Sequence, residues 1–134
     1  NLLKQGEEAE IHLHANAEQY MVAADKNQLL SVFNNLLLNA VQSIPDDRQG
    51  SVNVITENTE SMVIISVSDN GIGISAEEAK KVFIPSFTTK SSGTGLGLAI
   101  CKDYVNSFGG TIDFVSEENV GTTFFVRLPV IQNS

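Results

Sequence analysis

The sequence predicts one domain that mixes α-helices and β-strands. The chain has 134 residues, of which 42% are hydrophobic, and this suits a single folded domain with one core. Segments in which apolar residues alternate with a period of two are typical of strands, and segments with the helical period separate them. Residues 1–10 are polar and acidic, so we expect a linker or the tail of an upstream helix there and an α+β domain over residues 11–134.

The first part of this domain is predicted to contain two strands and a long helix. Ile11–Ala15 alternates with period two, and Tyr20–Ala24 is predicted to form a hairpin with it. Asp25 is a typical N-cap residue at the start of an apolar helical pattern. Because proline cannot continue a helix, Pro45 marks the end of this first helix.

The rest of the chain is also predicted to contain both helices and strands. Ser75 begins a capping box for a short helix that ends near Phe83. A longer apolar helix is expected over Gly95–Phe108, because two glycines follow it. Four more strands are predicted at Val52–Thr56, Met62–Asn70, Thr111–Val115 and Thr122–Leu128.

The composition argues against several classes of function. The net charge is -8 with only 8 lysines and arginines, whereas a nucleic-acid surface needs a basic stripe. The single cysteine, Cys101, excludes an internal disulfide and a cysteine zinc site, and its apolar neighbours predict a packing role. No apolar run is long enough to span a bilayer, so we expect no membrane contact by this domain and a cytoplasmic location.

Two glycine clusters with an insert between them are the most distinctive feature of the sequence. Ser68–Ile74 and Ser92–Leu98 hold five of the ten glycines. Glycine allows close approach to the backbone, so the pair predicts a cradle for a flat or phosphorylated ligand. The insert, Ile84–Ser92, combines small and polar residues with an isolated phenylalanine and predicts a mobile lid. Neither a P-loop nor a complete dinucleotide fingerprint is present.

Two asparagines and one aspartate are candidate site residues. Asn35 and Asn39 lie one turn apart at the border of the apolar stripe of the first helix. They either cap nearby backbone groups or offer an amide oxygen to magnesium. Asp69 ends a core-facing row of a strand, where a carboxylate is costly unless something donates to it. It either caps the turn at Asn70–Gly71 or accepts from the amino group of adenine, which would select ATP over GTP.

Five motifs stand in order along the chain: Asn35-Leu36-Leu37-Leu38-Asn39-Ala40, Asp69-x-Gly71-x-Gly73, Phe83-Ile84-Pro85-Ser86-Phe87-Thr88-Thr89-Lys90, Gly93-Thr94-Gly95-Leu96-Gly97-Leu98 and Gly121-Thr122-Thr123-Phe124. Together they strongly resemble the catalytic ATP-binding domain of bacterial sensor histidine kinases, within the gyrase, Hsp90, histidine kinase and MutL (GHKL) superfamily. The lid motif is similar to that of nitrogen-regulatory and sporulation kinases. The resemblance implies a two-layer sandwich, with a mixed sheet of about five strands and three helices on one face.

The resemblance also implies roles for individual residues. Asn39 would hold magnesium, Asp69 would take the adenine amino group, and Thr122 would lie close to the base. Catalytic roles are implied for Asn35 and for Lys90, which would reach the terminal phosphates of ATP, while Phe83 and Phe87 would anchor the lid. The implied ATP-binding residues are Asn39, Asp69, Gly71, Gly73, Ile74, Phe83, Thr88, Thr89, Lys90, Gly93, Gly95, Leu96, Gly97, Leu98 and Thr122.

Two departures from the family pattern are present. Many members carry a lysine where this chain has Gln42, which implies one phosphate contact fewer. Ser86 stands where the subgroup often has phenylalanine, which implies a looser lid.

By resemblance, this domain transfers the terminal phosphoryl group of ATP to a histidine on a separate dimerisation domain of the same parent kinase, with a response regulator downstream. The two histidines of this chain, His12 and His14, lie in a predicted strand, whereas the acceptor signature lies on a helix. The isolated domain is expected to be monomeric.

Two alternatives remain: a water-activating ATPase of the same superfamily, and a nucleotide-binding docking module without transfer activity. Such ATPases carry a glutamate where this chain has Asn35, and an amide cannot act as a general base. The kinase is therefore favoured over the ATPase. The docking module is disfavoured because Asn39, Asp69 and Lys90 are all present.

Overall fold

The computed structural model describes residues 9–15, 22–85 and 97–131, the first of these segments by its backbone alone. Eight elements follow one another in these segments: β1 (Ala9–Ala15), α1 (Lys26–Gln42), β2 (Gly50–Asn58), β3 (Met62–Asp69), α2 (Ala76–Ala79), α3 (Gly97–Ser107), β4 (Thr111–Glu117) and β5 (Gly121–Pro129). β1 begins two residues before the predicted strand, so the last two residues of the predicted linker belong to it.

The strands form one mixed sheet in the order β1-β2-β3-β5-β4. β1 is parallel to β2, and the other neighbours are antiparallel. The predicted hairpin is wrong for the described residues, because β1 pairs with β2 and Val22 instead forms an isolated bridge to Val130. The physical reason is topological: parallel neighbours need a crossover connection, and α1 lies in the connection between β1 and β2.

The helix ends follow local signals in the sequence. Asp25 is the N-cap of α1, where its side chain accepts a hydrogen bond from the backbone N–H of Gln28 at 2.9 Å. Ser75 and Glu78 form both bonds of a capping box at the start of α2. This helix is shorter than predicted, because helical bonding ends at Ala79 and turns carry the chain to Phe83. The predicted start of the third helix, Gly95, lies outside the described residues.

The core lies between one face of the sheet and the pair α1 and α3. β5 alternates strictly, with four buried residues pointing to the helices and the residues between them on the other face. The buried apolar residues of this layer are Val32, Leu36, Ala40, Val41, Val52, Ile65, Val67, Cys101, Val105, Ile112, Phe124, Val126 and Leu128. This two-layer arrangement confirms the predicted fold class.

Cys101 belongs to this core. It is 1% exposed, and its thiol donates a hydrogen bond to the carbonyl oxygen of Val32 in α1 at 3.7 Å. Burial raises the pKa of the Cys101 thiol to about 12, because the thiolate would lose its hydration. Both observations confirm the predicted packing role. Among the helices of the described segments, none has the length and apolar character needed to cross a membrane.

Candidate functional site

The helix-facing side of the sheet changes from apolar to polar at one end. Asp69 of β3 is paired with Thr122 of β5, which is paired in turn with Ser116 of β4. The neighbouring row toward the core consists of Val67, Phe124 and Phe114, so it is apolar throughout. Asp69 is 8% exposed and Thr122 is 4% exposed. A buried carboxylate and two hydroxyl groups therefore line up across three strands, directly beside the core. We call these three residues the polar row.

The carboxylate of Asp69 is fixed by the backbone. One oxygen, Oδ1, accepts hydrogen bonds from the N–H groups of Gly71 at 2.8 Å and Thr122 at 3.3 Å. These bonds offset part of the cost of burying the charge and hold the side chain in one orientation. The turn-capping role proposed from the sequence is therefore confirmed for this oxygen. The adenine role is compatible with it, because a carboxylate offers about four acceptor sites, and it remains a prediction.

Residues 70–74, which follow Asp69 and which we call the glycine loop, pack closely against two other segments of the protein. A Cβ at Gly71 would lie 2.7 Å from the carbonyl oxygen of Ser43, and a Cβ at Gly73, where φ is +75°, would overlap the carbonyl of Glu117. Ile72 continues these contacts, since its N–H donates to Ser43 and its carbonyl accepts from Asn119. The glycine pattern predicted close approach of a ligand to these two residues, but protein backbone fills the space beside them.

Arg48 connects this loop to the turn between β4 and β5 through hydrogen bonds. Its Nη1 donates to the carbonyl oxygens of Asn70 at 2.7 Å, Gly71 at 3.2 Å and Asn119 at 3.3 Å. The side chain of Asn70 adds bonds to the backbone of Gln49 and Ser51. Sequence reasoning missed Arg48, and nothing local could have identified it, because all three acceptors are backbone groups distant in sequence.

Ser116 was also missed, although the sequence contained a signal for it. Its Oγ accepts from the N–H of Ile74 at 2.8 Å, lies 2.8 Å from Oγ1 of Thr122 and donates to the carbonyl of Gly121 at 3.2 Å. Ser116 continues the core-facing alternation of Ile112 and Phe114, just as Asp69 continues that of β3. Ser116, like Asp69, is therefore a polar residue at the end of a core-facing apolar row.

Asn35 and Asn39 lie one turn apart on α1, and Asn35 faces the start of α3. The Asn35 amide donates to the carbonyl of Ser31 at 2.9 Å, and its Oδ1 would lie 3.2 Å from a Cβ at Gly97. Asn35 therefore does bond to its own helix, as one of the two alternatives held, while also facing the first residue of α3. Asn35 and Asn39 are both half-buried. The magnesium role of Asn39 remains a prediction.

Phe83 connects the start of the lid segment to the sheet. Its ring centroid lies 5.9 Å from that of Phe114 and 6.3 Å from that of Phe124, both in edge-to-face geometry. Lys102 of α3 places its Nζ 5.2 Å from the centroid of the Phe83 ring. These contacts hold Phe83 against the sheet and α3, and its role toward the lid remains a prediction.

Several predicted site residues lie outside the described residues: Phe87, Thr88, Thr89, Lys90, Gly93, Gly95 and Leu96. The structure brings Asp69, Gly71, Gly73, Ile74 and Thr122 together at one end of the sheet. Gly97 and Leu98 begin α3, and Leu98 packs against the core. Within the described part of the chain, no group of three or more histidine, cysteine, aspartate or glutamate side chains is placed to hold a metal ion.

The fold and the sequence define the class of this protein. The model of the family described as "Histidine kinase-, DNA gyrase B-, and HSP90-like ATPase" matches residues 24–132, and the chain belongs to this family. Within this family, the chain is a catalytic domain of the histidine kinase type. The solved catalytic domain of the histidine kinase ThkA is 33% identical with a TM-score of 0.78, covering 90% of this chain and 78% of that one.

Curated relatives agree with this class. Sensor histidine kinase ZraS of Escherichia coli K12 is 42% identical over 123 residues, which cover 92% of this chain and 26% of the relative. Sporulation kinase C of Bacillus subtilis is 38% identical over 114 residues, which cover 85% of this chain and 26% of the relative. The chain thus spans about a quarter of the length of these relatives. The match to a sporulation kinase agrees with the subgroup that the lid motif indicated.

Proposed function

We propose that this domain binds ATP with magnesium and transfers the terminal phosphoryl group to a histidine on a separate dimerisation domain. The observation that carries the proposal is the polar row, in which the Asp69 carboxylate is buried beside the core and held by two backbone N–H groups. A carboxylate accepts hydrogen bonds and cannot donate them. The 6-amino group of adenine donates, whereas guanine presents an acceptor oxygen at that edge, so this site should prefer ATP.

The phosphate end of the nucleotide is proposed to lie between α1 and the start of α3. The N-terminus of a helix favours anions, since its first N–H groups are unpaired and its dipole is positive there. Asn39 is proposed to bind the magnesium ion through its amide oxygen, a hard ligand of the kind that magnesium prefers. When bound, the ion would neutralise part of the phosphate charge. The chain itself has a net charge of -8 and offers few positive side chains for this purpose. Lys90 is proposed to supply the second positive charge.

The proposed chemistry depends on positioning more than on covalent catalysis by the protein. Phosphoryl transfer needs the two reacting groups in line and the developing charge stabilised. The protein groups described above would fix the base, and Lys90 and Asn35 would act near the phosphates. His12 and His14 lie in β1, so the acceptor histidine is proposed to come from a different domain of the parent kinase. A response regulator is proposed downstream, and the cytoplasm is proposed as the location.

Nucleotide titration tests the binding part of the proposal. Calorimetric titrations of the purified chain with ATP, ADP and GTP should be run with and without magnesium. We expect ATP and ADP to bind and GTP to bind at least about tenfold more weakly, on the scale of one hydrogen bond to a charged group. Removing magnesium should weaken the binding of ATP more than the binding of ADP. Equal affinity for ATP and GTP would contradict the assignment of Asp69.

The transfer part needs an acceptor. The chain should be mixed with the dimerisation domain of a sensor histidine kinase and ATP labelled in the terminal phosphate. We expect acid-labile label on the histidine of that domain, with a histidine-to-alanine acceptor as the control. If the chain binds ATP but transfers no label to the histidine at any concentration of the acceptor domain, the docking module would be favoured.

A further inference from the structure

Ser116 is the residue of the polar row on β4, and it also contacts the glycine loop. Its Oγ contacts three groups: the N–H of Ile74, the carbonyl of Gly121 and the hydroxyl of Thr122, at 2.8, 3.2 and 2.8 Å. Ser116 is half-buried, and Thr122 is 4% exposed. The orientation of these two hydroxyl groups is therefore set mainly by the protein groups around them.

Counting protons decides which hydroxyl donates. A serine hydroxyl has one proton and two acceptor sites. The N–H of Ile74 uses one acceptor site of Ser116. If Ser116 gives its proton to the carbonyl of Gly121, Thr122 can donate into the remaining site, and all three contacts become hydrogen bonds. If Ser116 instead donates to Thr122, its contact with the carbonyl of Gly121 is lost. The first arrangement makes one hydrogen bond more.

We infer that Ser116 is a positioning residue that directs the proton of Thr122 away from the nucleotide. Thr122 then offers only lone pairs to a bound base, next to the carboxylate of Asp69, which also only accepts. The polar row thereby becomes a wall of acceptors that favours a 6-amino purine over a 6-oxo purine. This inference rests on the proposed ATP site and adds a residue that sets its base selectivity.

The test compares ATP with inosine triphosphate, which replaces the 6-amino group by an oxygen, carries a proton on N1 and adds no 2-amino group. Dissociation constants for both are measured by calorimetry with the wild-type chain and with Ser116→Ala. Because the N1 proton is present whichever protein is titrated, the test reads only the change in the ratio of the two affinities between the wild-type chain and the variant. In the variant, the Thr122 hydroxyl can turn and donate to the 6-oxo group. We therefore expect the preference for ATP over inosine triphosphate to fall about fivefold, the scale of one neutral hydrogen bond.

The ratio separates this role from a merely structural one. Loss of the Ile74 contact alone would weaken the binding of both nucleotides equally. An unchanged ratio of the two dissociation constants in folded Ser116→Ala would therefore overturn the inference. In a Thr122→Val background, Ser116→Ala should leave the ratio unaltered, because the hydroxyl it directs is gone. If Ser116→Ala does not fold, Ser116→Cys, which is close in size and a poor hydrogen-bonding group, should lower the ratio in the same direction.

A matched control lies one residue away on the opposite face of the sheet. The hydroxyl groups of Ser68 and Thr123 are also 2.8 Å apart, on the same two strands as Asp69 and Thr122. Ser68→Ala should leave the ratio unchanged, and a fall equal to that of Ser116→Ala would overturn the inference. If the wild-type chain binds no nucleotide, the proposed function fails. If it prefers ATP and the ratio does not respond to Ser116, the inference fails alone.

Discussion

At the scale of single residues, Asp69 combines a structural and a proposed recognition role. Its Oδ1 accepts from two backbone N–H groups, while the side chain lies beside Thr122 at the edge of the core. Asp69→Asn keeps the shape and one acceptor oxygen but replaces the other oxygen by a donor. We expect ATP binding to weaken by about 1–3 kcal/mol, the scale of a hydrogen bond to a charged group, as measured by calorimetric titration.

The matched control for this substitution is Asp113→Asn. Asp113 is exposed on the other face of the sheet, where it pairs with Arg127 at 2.9 Å, so ATP affinity should not change. Thermal unfolding of both variants checks that each remains folded. Unchanged ATP affinity in folded Asp69→Asn would count against adenine recognition by this carboxylate.

The same residues show what the sequence could predict about the site. Asp69 was identified because a carboxylate interrupts an apolar alternation, and Ser116 interrupts β4 in the same way but carries no charge. Arg48 gave no local signal, since its acceptors are backbone carbonyls of the glycine loop and of the turn before β5. Individual side chains that bond to backbone groups far away in sequence become visible only once the fold is known.

At the scale of elements, the starts of α1 and α2 were predictable and one strand pairing was not. The capping signals at Asp25 and Ser75 act within one turn, so the sequence contains the full cause. The alternation of β1 predicts a strand but does not specify its neighbour, which proved to be β2 beyond the long helix α1. Two short strands close in sequence predict a hairpin, whereas the parallel pairing of β1 with β2 depends on the assembled sheet.

The packing of α1 against α3 leads to a prediction about alkaline pH. The Cys101 thiol keeps its proton in the folded protein up to a pKa of about 12, whereas the unfolded chain releases it above the ordinary value of 9.0. Stability from this group is complete below pH 9 and is lost as the pH rises toward 12. The wild-type chain should therefore lose on the order of 1 kcal/mol per pH unit in this window.

Comparison with Cys101→Ala isolates this effect from other groups that titrate at alkaline pH. Urea unfolding of both proteins should be measured at pH 8 and pH 10.5. At pH 8 the variant should be less stable, because the smaller side chain leaves a void in the core. At pH 10.5 the difference in unfolding free energy should be smaller. Parallel stability profiles for the two proteins would show that the thiol ionises equally in both states.

At the scale of the whole molecule, the sheet separates two kinds of chemistry. One end of its helix-facing side carries the polar row, and the remainder builds the core with α1 and α3. The motifs at Asp69 and at Gly121 predicted this layout because they lie at the end of β3 and at the start of β5, where the chain leaves the core. They could not predict how the glycine loop, the α1–β2 connection and the β4–β5 turn are bonded together.

A domain that positions ATP without an acceptor should turn over slowly by itself. Asn35 stands where the resembling ATPases carry a glutamate base, and its amide already donates to the carbonyl of Ser31, so it is not suited to activate water. We expect phosphate release well below about 1 s⁻¹, the low end of common enzyme turnover, in a coupled assay with saturating ATP and magnesium. The Asp69→Asn variant serves as the control for contaminating ATPases when both proteins are also assayed at an ATP concentration near the dissociation constant of the wild-type chain. At that concentration its weakened binding should lower only the rate that belongs to this chain. A rate near or above about 1 s⁻¹ that disappears in this variant would favour the water-activating ATPase over the kinase.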